Sequence, residues 1–477
     1  MTTQELLFLS VTELGKLIQN RELSPVELTQ AHLEQIDRLD GTLRAYITVT
    51  REEALGAAKD AEEAIRRGSY LGPLHGIPFA VKDQIYTQGI RTTACAKFLS
   101  DFVPQEDATV VTRLKEAGGV LLGKLNMTEL ALGGGAIFNY GVPRNPWNPD
   151  YYPGSSSCGS GIAPAAGMAV FTLGEDTGGS IRNPANMCGI VGLRPTQGRV
   201  SRHGVVPAIW SADTLGPLAR TVEECALVLR AIAGHDHRDS LTSQVPVPDY
   251  RSFLDGDVQG MRLGVVKELM ESDLIHPEVR QAFQEAVRLF SGLGASVEEV
   301  SIPLTSHAGT IYLAGLEPEI SLSPHLQWLR TRWHEYGYGS RTRVAAAALM
   351  PAAIFNKGMR ARTLLRNQVL EALQRVDVLL SSSSPAPPPT IEEETAKMQG
   401  DLRTRTYMGP RHYTSVHSLA SVPALTILMG FSSQGLPLGL QIAGRPFEEG
   451  TVFKVAHVYE QATPWHTRRP PLAAPVT

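Results

Sequence analysis

The sequence predicts an α/β fold, in which a central mixed, mostly parallel, twisted β-sheet is surrounded by α-helices. Three observations carry this expectation. Helix-like segments alternate with short apolar runs such as Arg262-Leu-Gly-Val-Val266 and Val376-Asp-Val-Leu-Leu380, the pattern of a sheet covered on both faces. The 477 residues are 43% hydrophobic and 19% charged, ordinary values for a globular chain with a large core. The 44 glycines and 32 prolines supply the many tight connections that such an alternation needs.

The elements follow in order. Ser10-Val-Thr-Glu13 reads as a capping box ahead of a helix, and Ser24-Pro25-Val26-Glu27 as a second helix start with proline at the first helical position. A third helix covers Arg51 to Arg67 and stops at Gly68. After Gly72 the texture changes. Gly76-Ile-Pro-Phe-Ala-Val-Lys82-Asp83 reads as a short buried strand that ends at a polar site. Asp107 to Ala117 reads as a helix, and Gly119 to Gly123 as the strand after it. The run Ser381-Ser-Ser-Ser-Pro-Ala-Pro-Pro-Pro389 is the one low-complexity stretch. It reads as a loop after a strand, because core-like apolar runs resume at Leu425. One continuous domain is therefore favoured over two.

Several classes of function lose support at this point. The net charge of −4 gives no basic footprint for a nucleic-acid backbone. The longest apolar runs, about Ile162 to Leu173 and Val344 to Phe355, fall short of the ~18 residues that a membrane span requires. Met1 to Ser10 lacks the basic start of a secretory signal. Cys95, Cys158, Cys188 and Cys225 are scattered and form no CxxC pair, so no zinc or redox motif is expected. These points predict a cytoplasmic protein with reduced thiols. Gly133-Gly-Gly135 lacks the Lys-Ser/Thr of a phosphate loop. His235 and His237, flanking Asp236, read as a polar turn rather than a metal site.

The chemistry concentrates in Pro153-Gly-Ser-Ser-Ser-Cys-Gly-Ser160 and Gly174-Glu-Asp-Thr-Gly-Gly-Ser-Ile-Arg-Asn-Pro184. Glycines and small hydroxyl residues permit close backbone approach and convergent N–H groups. The amides of Thr177, Gly178, Gly179 and Ser180 form a candidate oxyanion hole, with Ser180 as the candidate nucleophile. A serine needs a base, and no histidine lies near these loops in sequence. Lys82 ends the apolar run Ile77 to Val81. Burial there would favour its neutral amine and make it a competent base.

These segments resemble the amidase signature family. The likeness lies in a strand ending in Val-Lys-Asp, a Pro-Gly-Ser-Ser loop, and Asp176-Thr-Gly-Gly-Ser-Ile-Arg182. It continues through Cys188-Gly-Ile-Val-Gly-Leu-Arg-Pro-Thr196, Leu215-Gly-Pro-Leu218 and Gly435-Leu-Pro-Leu-Gly-Leu-Gln441. The resemblance runs from about Leu23 to Glu460. It implies the family fold as a single domain over residues 1–477. An N-terminal helical segment (1–70) would pack on a catalytic signature core (71–230), with a variable substrate-pocket region at 305–413. It also implies a Ser–cis-Ser–Lys triad, with Ser180 as nucleophile, Ser156 as the cis-serine 24 residues earlier, and Lys82 as base. Ser157, Asp176 and Arg182 would support the turn. No metal and no organic cofactor is required.

Three positions depart from the family pattern. Ser155 and Cys158 stand where it carries glycine, and Glu175 stands where it carries Thr or Ser. An inward, ionised Glu175 would hold Lys82 charged, so Glu175 is expected to face a structural partner instead. Blander readings exist beside the chemical ones. Ser155 and Ser156 could cap the helix that follows. Asp176 and Arg182 read as an ion pair holding the Gly-Gly-Ser turn rather than as catalytic groups. Cys158 reads as a buried small residue.

The resemblance leads to an amidase that hydrolyses the C–N bond of a small acyl, aryl or carbamate-like amide through a serine acyl-enzyme. Its expected partners are the small-molecule amide alone, with no nucleic acid and no membrane; a homodimer is left open. The alternative is a glutamine-hydrolysing component of an amidotransferase that works with a partner protein. Related components carry Asp where Arg411 aligns here, which argues against glutamine. A silent scaffold is disfavoured by the intact Lys82, Ser156 and Ser180. Trp328, Trp333, Tyr336 and Tyr338 in the variable region suggest an apolar or aromatic acyl pocket.

Overall fold

The structure is a computed structural model that describes residues 2–132, 138–321, 324–399 and 411–474. Gly133 to Gly135 lie outside the described residues, as does the side chain of Arg411. Eleven strands form one sheet: β1 (Tyr46–Val49), β2 (Pro78–Lys82), β3 (Val120–Leu125), β4 (Phe171–Glu175), β5 (Val191–Arg194), β6 (Leu215–Ala219), β7 (Arg262–Val266), β8 (Ser296–Val300), β9 (Val378–Ser382), β10 (Ala424–Phe431) and β11 (Pro437–Ala443). Their order across the sheet is β1-β3-β2-β4-β6-β5-β10-β11-β9-β7-β8.

The fold is α/β with a mixed sheet, as the sequence predicts. Parallel pairing is confined to two blocks, β3-β2-β4 and β9-β7-β8. The pairs between and outside them are antiparallel. The parallel share is therefore smaller than the helix–strand alternation alone suggests. Strands β5, β6, β10 and β11 pair side by side through antiparallel neighbours in the middle of the sheet.

Strand β2 shows how the core is built. All five of its residues are buried, as in a strand covered on both faces. Side chains alternate between faces. Phe79 and Val81 join one core with Phe171 and Leu173 of β4, while Ala80 joins another with Leu122, Ile162 and Leu218. The Phe79 and Phe171 rings stack, with centroids 5.5 Å apart and planes 5° from parallel.

Local signals set the helices. Ser10 accepts from the Glu13 amide at 3.2 Å, and Glu13 accepts from the Ser10 amide at 2.8 Å. This reciprocal cap opens helix Val11–Gln19. Ser24 caps helix Pro25–Leu43, and helix Arg51–Arg66 follows β1. The serine run at 381–384 is not all loop. Its first two residues finish β9, and Ser381 accepts from the Gln441 amide nitrogen at 3.1 Å.

Register then positions the site. Parallel pairing of β2 with β4 brings Lys82 and Glu175 to the same edge of the sheet. The antiparallel partner β6 pairs Leu215 with Glu175, so the turn before β6, with Asp213, meets that edge too. Arg194, the last residue of β5, joins them there. Side chains at the carboxyl ends of parallel strands are the usual place for chemistry in such sheets.

This packing predicts unequal losses of stability. Phe79→Ala, which empties a stacked core site, is expected to cost about 3–5 kcal/mol. Ser10→Ala, which removes one cap, is expected to cost about 1 kcal/mol. Thermal or urea unfolding of the two variants measures both; a Ser10→Ala loss equal to that of Phe79→Ala would contradict the assignment.

Candidate active site

Lys82 is fully buried. Its Nζ donates to Ser156 Oγ at 2.8 Å, to Glu175 Oε2 at 3.0 Å and to the Glu175 carbonyl at 3.4 Å. Glu175 therefore faces Lys82, against the expectation that it turns to a structural partner elsewhere. The cause is the strand register: Glu175 ends β4 beside the end of β2, and a buried ammonium and a buried carboxylate each need a partner of opposite charge.

Ser156 is buried and Ser180 is half-buried. The Lys82–Ser156 contact of the expected relay is present. Among the described residues no hydrogen bond joins Ser156 to Ser180. Ser180 Oγ instead accepts from Ser155 Oγ at 3.3 Å. The residue that replaces a family glycine thus brings a third hydroxyl to the nucleophile position. In the sequence Ser155 stands out as a departure from a motif and as a possible helix cap; the signal for its place beside Ser180 was that its added side chain must point into the same loop.

The serines do not cap a helix. Helix Cys158–Ala165 begins after Ser157 without a side-chain cap. Ser157 Oγ donates to the Glu175 carbonyl at 3.0 Å and accepts from the Glu175 amide at 3.3 Å, which ties the serine loop to the end of β4. Cys158 is buried, and burial pushes its thiol up to about 12, far from a reactive thiolate.

The Gly-Gly-Ser turn is held by charge. Asp176 Oδ1 accepts from the Gly179 amide at 2.8 Å, and Oδ2 from the Ile181 amide at 3.1 Å. Arg182 donates to both Asp176 oxygens, at 3.0 and 3.1 Å, and Arg194 lies 3.3 Å from Oδ1. Burial alone would raise the Asp176 carboxyl, but the Arg182 and Arg194 guanidiniums overcome it and hold it well below the usual carboxylate range. Arg182 also reaches the Thr414 carbonyl, Ser418 and Gln441. The turn is thereby anchored to helix Arg411–Ala420 and to β11.

This corrects the four-amide oxyanion hole. The Gly179 amide is engaged by Asp176, because that carboxylate sits inside the turn. The amides of Thr177, Gly178 and Ser180 have no hydrogen-bond partner among the described residues. Gly179 has φ +130°, and an added Cβ would lie 2.2 Å from Thr414 Oγ1, so only glycine fits.

Further charged groups carry no sequence signal of their own. Thr177 Oγ1 lies 2.6 Å from Glu175 Oε1 and 2.8 Å from Asp213 Oδ1. Lys124 on β3 is a second fully buried lysine. Burial pushes it down to about 8, against the pull of Asp83 3.6 Å away; its Nζ donates to the Ile85 carbonyl at 2.7 Å. Tyr312 approaches Gly178, within 2.9 Å of where a Cβ would stand. Of the aromatic residues expected to form a pocket, Trp328 and Tyr336 pack on Phe98, whereas Trp333 and Tyr338 are exposed.

Among the described residues, no helix is long and apolar enough to cross a membrane. Comparison with known proteins then bears on the reading directly. The Amidase family profile matches residues 27–453. The A subunit of the glutamyl-tRNA(Gln) amidotransferase of Geobacter metallireducens is 42% identical over 98% of this chain and 99% of its own length. The crystal structure of the corresponding A subunit from Thermotoga maritima superposes with a TM-score of 0.80 at 35% identity, covering 97% of this chain and 95% of that one. A structure from a vestigial protein complex, tied to the origins of an s-triazine catabolic enzyme, superposes with a TM-score of 0.88 at 31% identity, over 95% and 98% of the two chains. These relatives overturn the expectation of an amidase acting by itself on a small acyl, aryl or carbamate-like amide. The expected partner set, a small-molecule amide with no nucleic acid and at most a second copy of the chain, is corrected with it. The full-length relatives are by name subunits of a glutamyl-tRNA(Gln) amidotransferase. The chain belongs to the Amidase family, enzymes that cleave carbon–nitrogen bonds.

Proposed function

We propose that this protein is the amide-hydrolysing subunit of an amidotransferase, releasing ammonia from glutamine for transfer to glutamyl-tRNA(Gln) together with partner subunits. The observation that carries this reading is 42% identity to one such subunit over essentially the whole of both chains. The four cysteines, all free and buried, fit a reducing compartment, and we assign the protein to the cytoplasm.

In this reading Ser180 is the nucleophile and Lys82 the base, acting through Ser156. Accepting from Ser155 leaves the Ser180 hydroxyl proton free to pass to Ser156 Oγ, whose own proton passes to the Lys82 amine. Ser180 Oγ attacks the side-chain amide carbonyl. The oxyanion meets the amides of Thr177, Gly178 and Ser180, which are preorganised by the Asp176–Arg182–Arg194 cluster. The proton returns to the leaving nitrogen, ammonia departs, and water hydrolyses the acyl-enzyme. Ser157, Asp176 and Arg182 support the turn and do not touch the substrate.

Ammonia release from glutamine is expected from the complex with its co-purified partners and not from the isolated chain. Hydrolysis of simple anilides by the chain alone, with no glutaminase activity in the complex, would overturn the reading. Ser180→Ala and Lys82→Ala are each expected to lower turnover by roughly a thousandfold or more while circular dichroism and melting stay near wild type. Gly179→Ala is expected to lose about 1–3 kcal/mol of stability to backbone strain, together with most of its turnover. Full activity in that variant would exclude the turn from the oxyanion site.

A further inference from the structure

A threonine hydroxyl carries one proton, yet Thr177 Oγ1 stands at hydrogen-bond distance from two carboxyl oxygens, 2.6 Å from Glu175 Oε1 and 2.8 Å from Asp213 Oδ1. Both carboxyl groups are buried. Thr177 can donate to only one of them. The other contact is a hydrogen bond only when the carboxyl group itself holds a proton and donates it to the threonine oxygen. We infer that Glu175 and Asp213 share a single proton across the Thr177 hydroxyl, and that this acid pair governs whether the Lys82 amine can act as a base. Both are positioning residues, since neither reaches the nucleophile. The inference rests on the reading of Lys82 as base.

The surroundings agree with one proton on the pair. Burial, and next the charge of Glu175, push the Asp213 carboxyl up to about 7. Its carboxyl group also accepts from the Ala208 amide at 2.8 Å and the Ile209 amide at 2.9 Å. Those contacts oppose the rise without cancelling it. Lys82 faces Glu175 from β2. Arg194 reaches from β5 to the Ala212 carbonyl at 2.9 Å, and its nearest carboxylate is Asp176. Arg362 and Glu319 both hold Ser211, two residues before Asp213. A cavity of about 290 Å³ adjoins Glu175 and Asp213; Arg202, His203, Trp210 and Arg238 also line it. Arg202 is paired with Asp239 there, and Arg238 with Asp236. The cavity gives water a route to the pair on which protons can exchange.

The proton balance is explicit. A proton leaving Lys82 Nζ for Glu175 Oε2 converts the ion pair into an amine and an acid without changing the net charge of the buried cluster. While Asp213 holds its proton, Glu175 is the single carboxylate opposing the amine. Once Asp213 has lost that proton to the cavity, two carboxylates stabilise the ammonium and the amine is withdrawn from base catalysis. Base function therefore falls as pH rises through the loss of the Asp213 proton.

The test is the rate of Ser180 labelling by a fluorophosphonate across mildly acidic to mildly alkaline pH, on the full chain. This readout does not depend on the amide donor, so failure of the glutamine reading leaves it standing. Wild type is expected to show a fall in labelling on the alkaline side of neutrality. Asp213→Asn is expected to abolish that fall and to label about tenfold faster one pH unit above it. Glu175→Thr, which restores the residue type of the family pattern, should remove the same limb. It serves if Asp213→Asn does not fold. The infrared carbonyl stretch of a protonated buried carboxyl group should be present in wild type below neutral pH and absent in Asp213→Asn. A profile in folded variants that is merely scaled, with the alkaline fall kept, would overturn the shared proton, as would absence of that stretch in wild type. Failure of wild type to label at any pH would overturn the Ser180 reading and this inference together.

Discussion

The buried amine of Lys82 is the constraint around which the site is arranged. Taking an isolated ammonium out of water costs several kcal/mol even after relaxation, so the fold must bring compensating groups to it. It brings a hydroxyl, a carboxylate and a backbone carbonyl, all within 3.4 Å. None of these lies near Lys82 in the chain; Ser156 and Glu175 are 74 and 93 residues away. Their meeting depends on the pairing of β2 with β4. The stacked Phe79 and Phe171 help fix that pairing below the site. Packing in the core thus sets a distance in the chemistry.

Two adjacent carboxylates, Glu175 and Asp176, take opposite parts because their neighbours differ. Asp176 points between two guanidiniums and three backbone amides, an environment in which only the anion is stable. It works as a fixed negative post that shapes the turn. Glu175 sees one amine and, through Thr177, another carboxyl group. The side chains alternate across β4 and its continuation, so one residue's difference in position sends the two carboxylates to different clusters. Separation of this kind is how one site holds acid and base roles at a single pH.

Much of this is legible in the sequence, for identifiable reasons. The capping box at Ser10, the proline-led helix start at Ser24, the buried strand ending at Lys82 and the glycine-rich turn are local signals, and each recurs in the structure at its expected place. The groups that sequence reasoning misses are those defined by pairing across the sheet. Asp213 precedes an apolar strand and looks like any turn aspartate; only the antiparallel register of β6 with β4 brings it to Glu175. Arg194 looks like the polar end of a strand, and only the neighbouring Ala212 carbonyl and Asp176 show it to be part of the turn's anchor. Glu175 stands out in the sequence as unusual, but its direction is set by the sheet and is not written locally. A function drawn from triad motifs is too narrow because those motifs describe the bond broken. They say nothing of the protein that carries them, whereas identity over the whole chain is to proteins named as amidotransferase subunits.

The departures from the family pattern are coupled through charge. With threonine or serine at position 175, Lys82 would have only uncharged partners, and its neutral form would be favoured by burial. Glutamate at that position supplies a counter-charge, which would lock the amine as ammonium if nothing else changed. Asp213 would add a second negative charge to the same dry cluster. A single shared proton resolves the difficulty: one ammonium, two carboxylates and one added proton sum to no net charge, the least costly state for a buried cluster. Movement of a proton from the amine to Glu175 preserves that neutrality. The substitution at position 175 therefore need not disable the base. It replaces an amine kept neutral by burial with one whose proton is held in common by its neighbours.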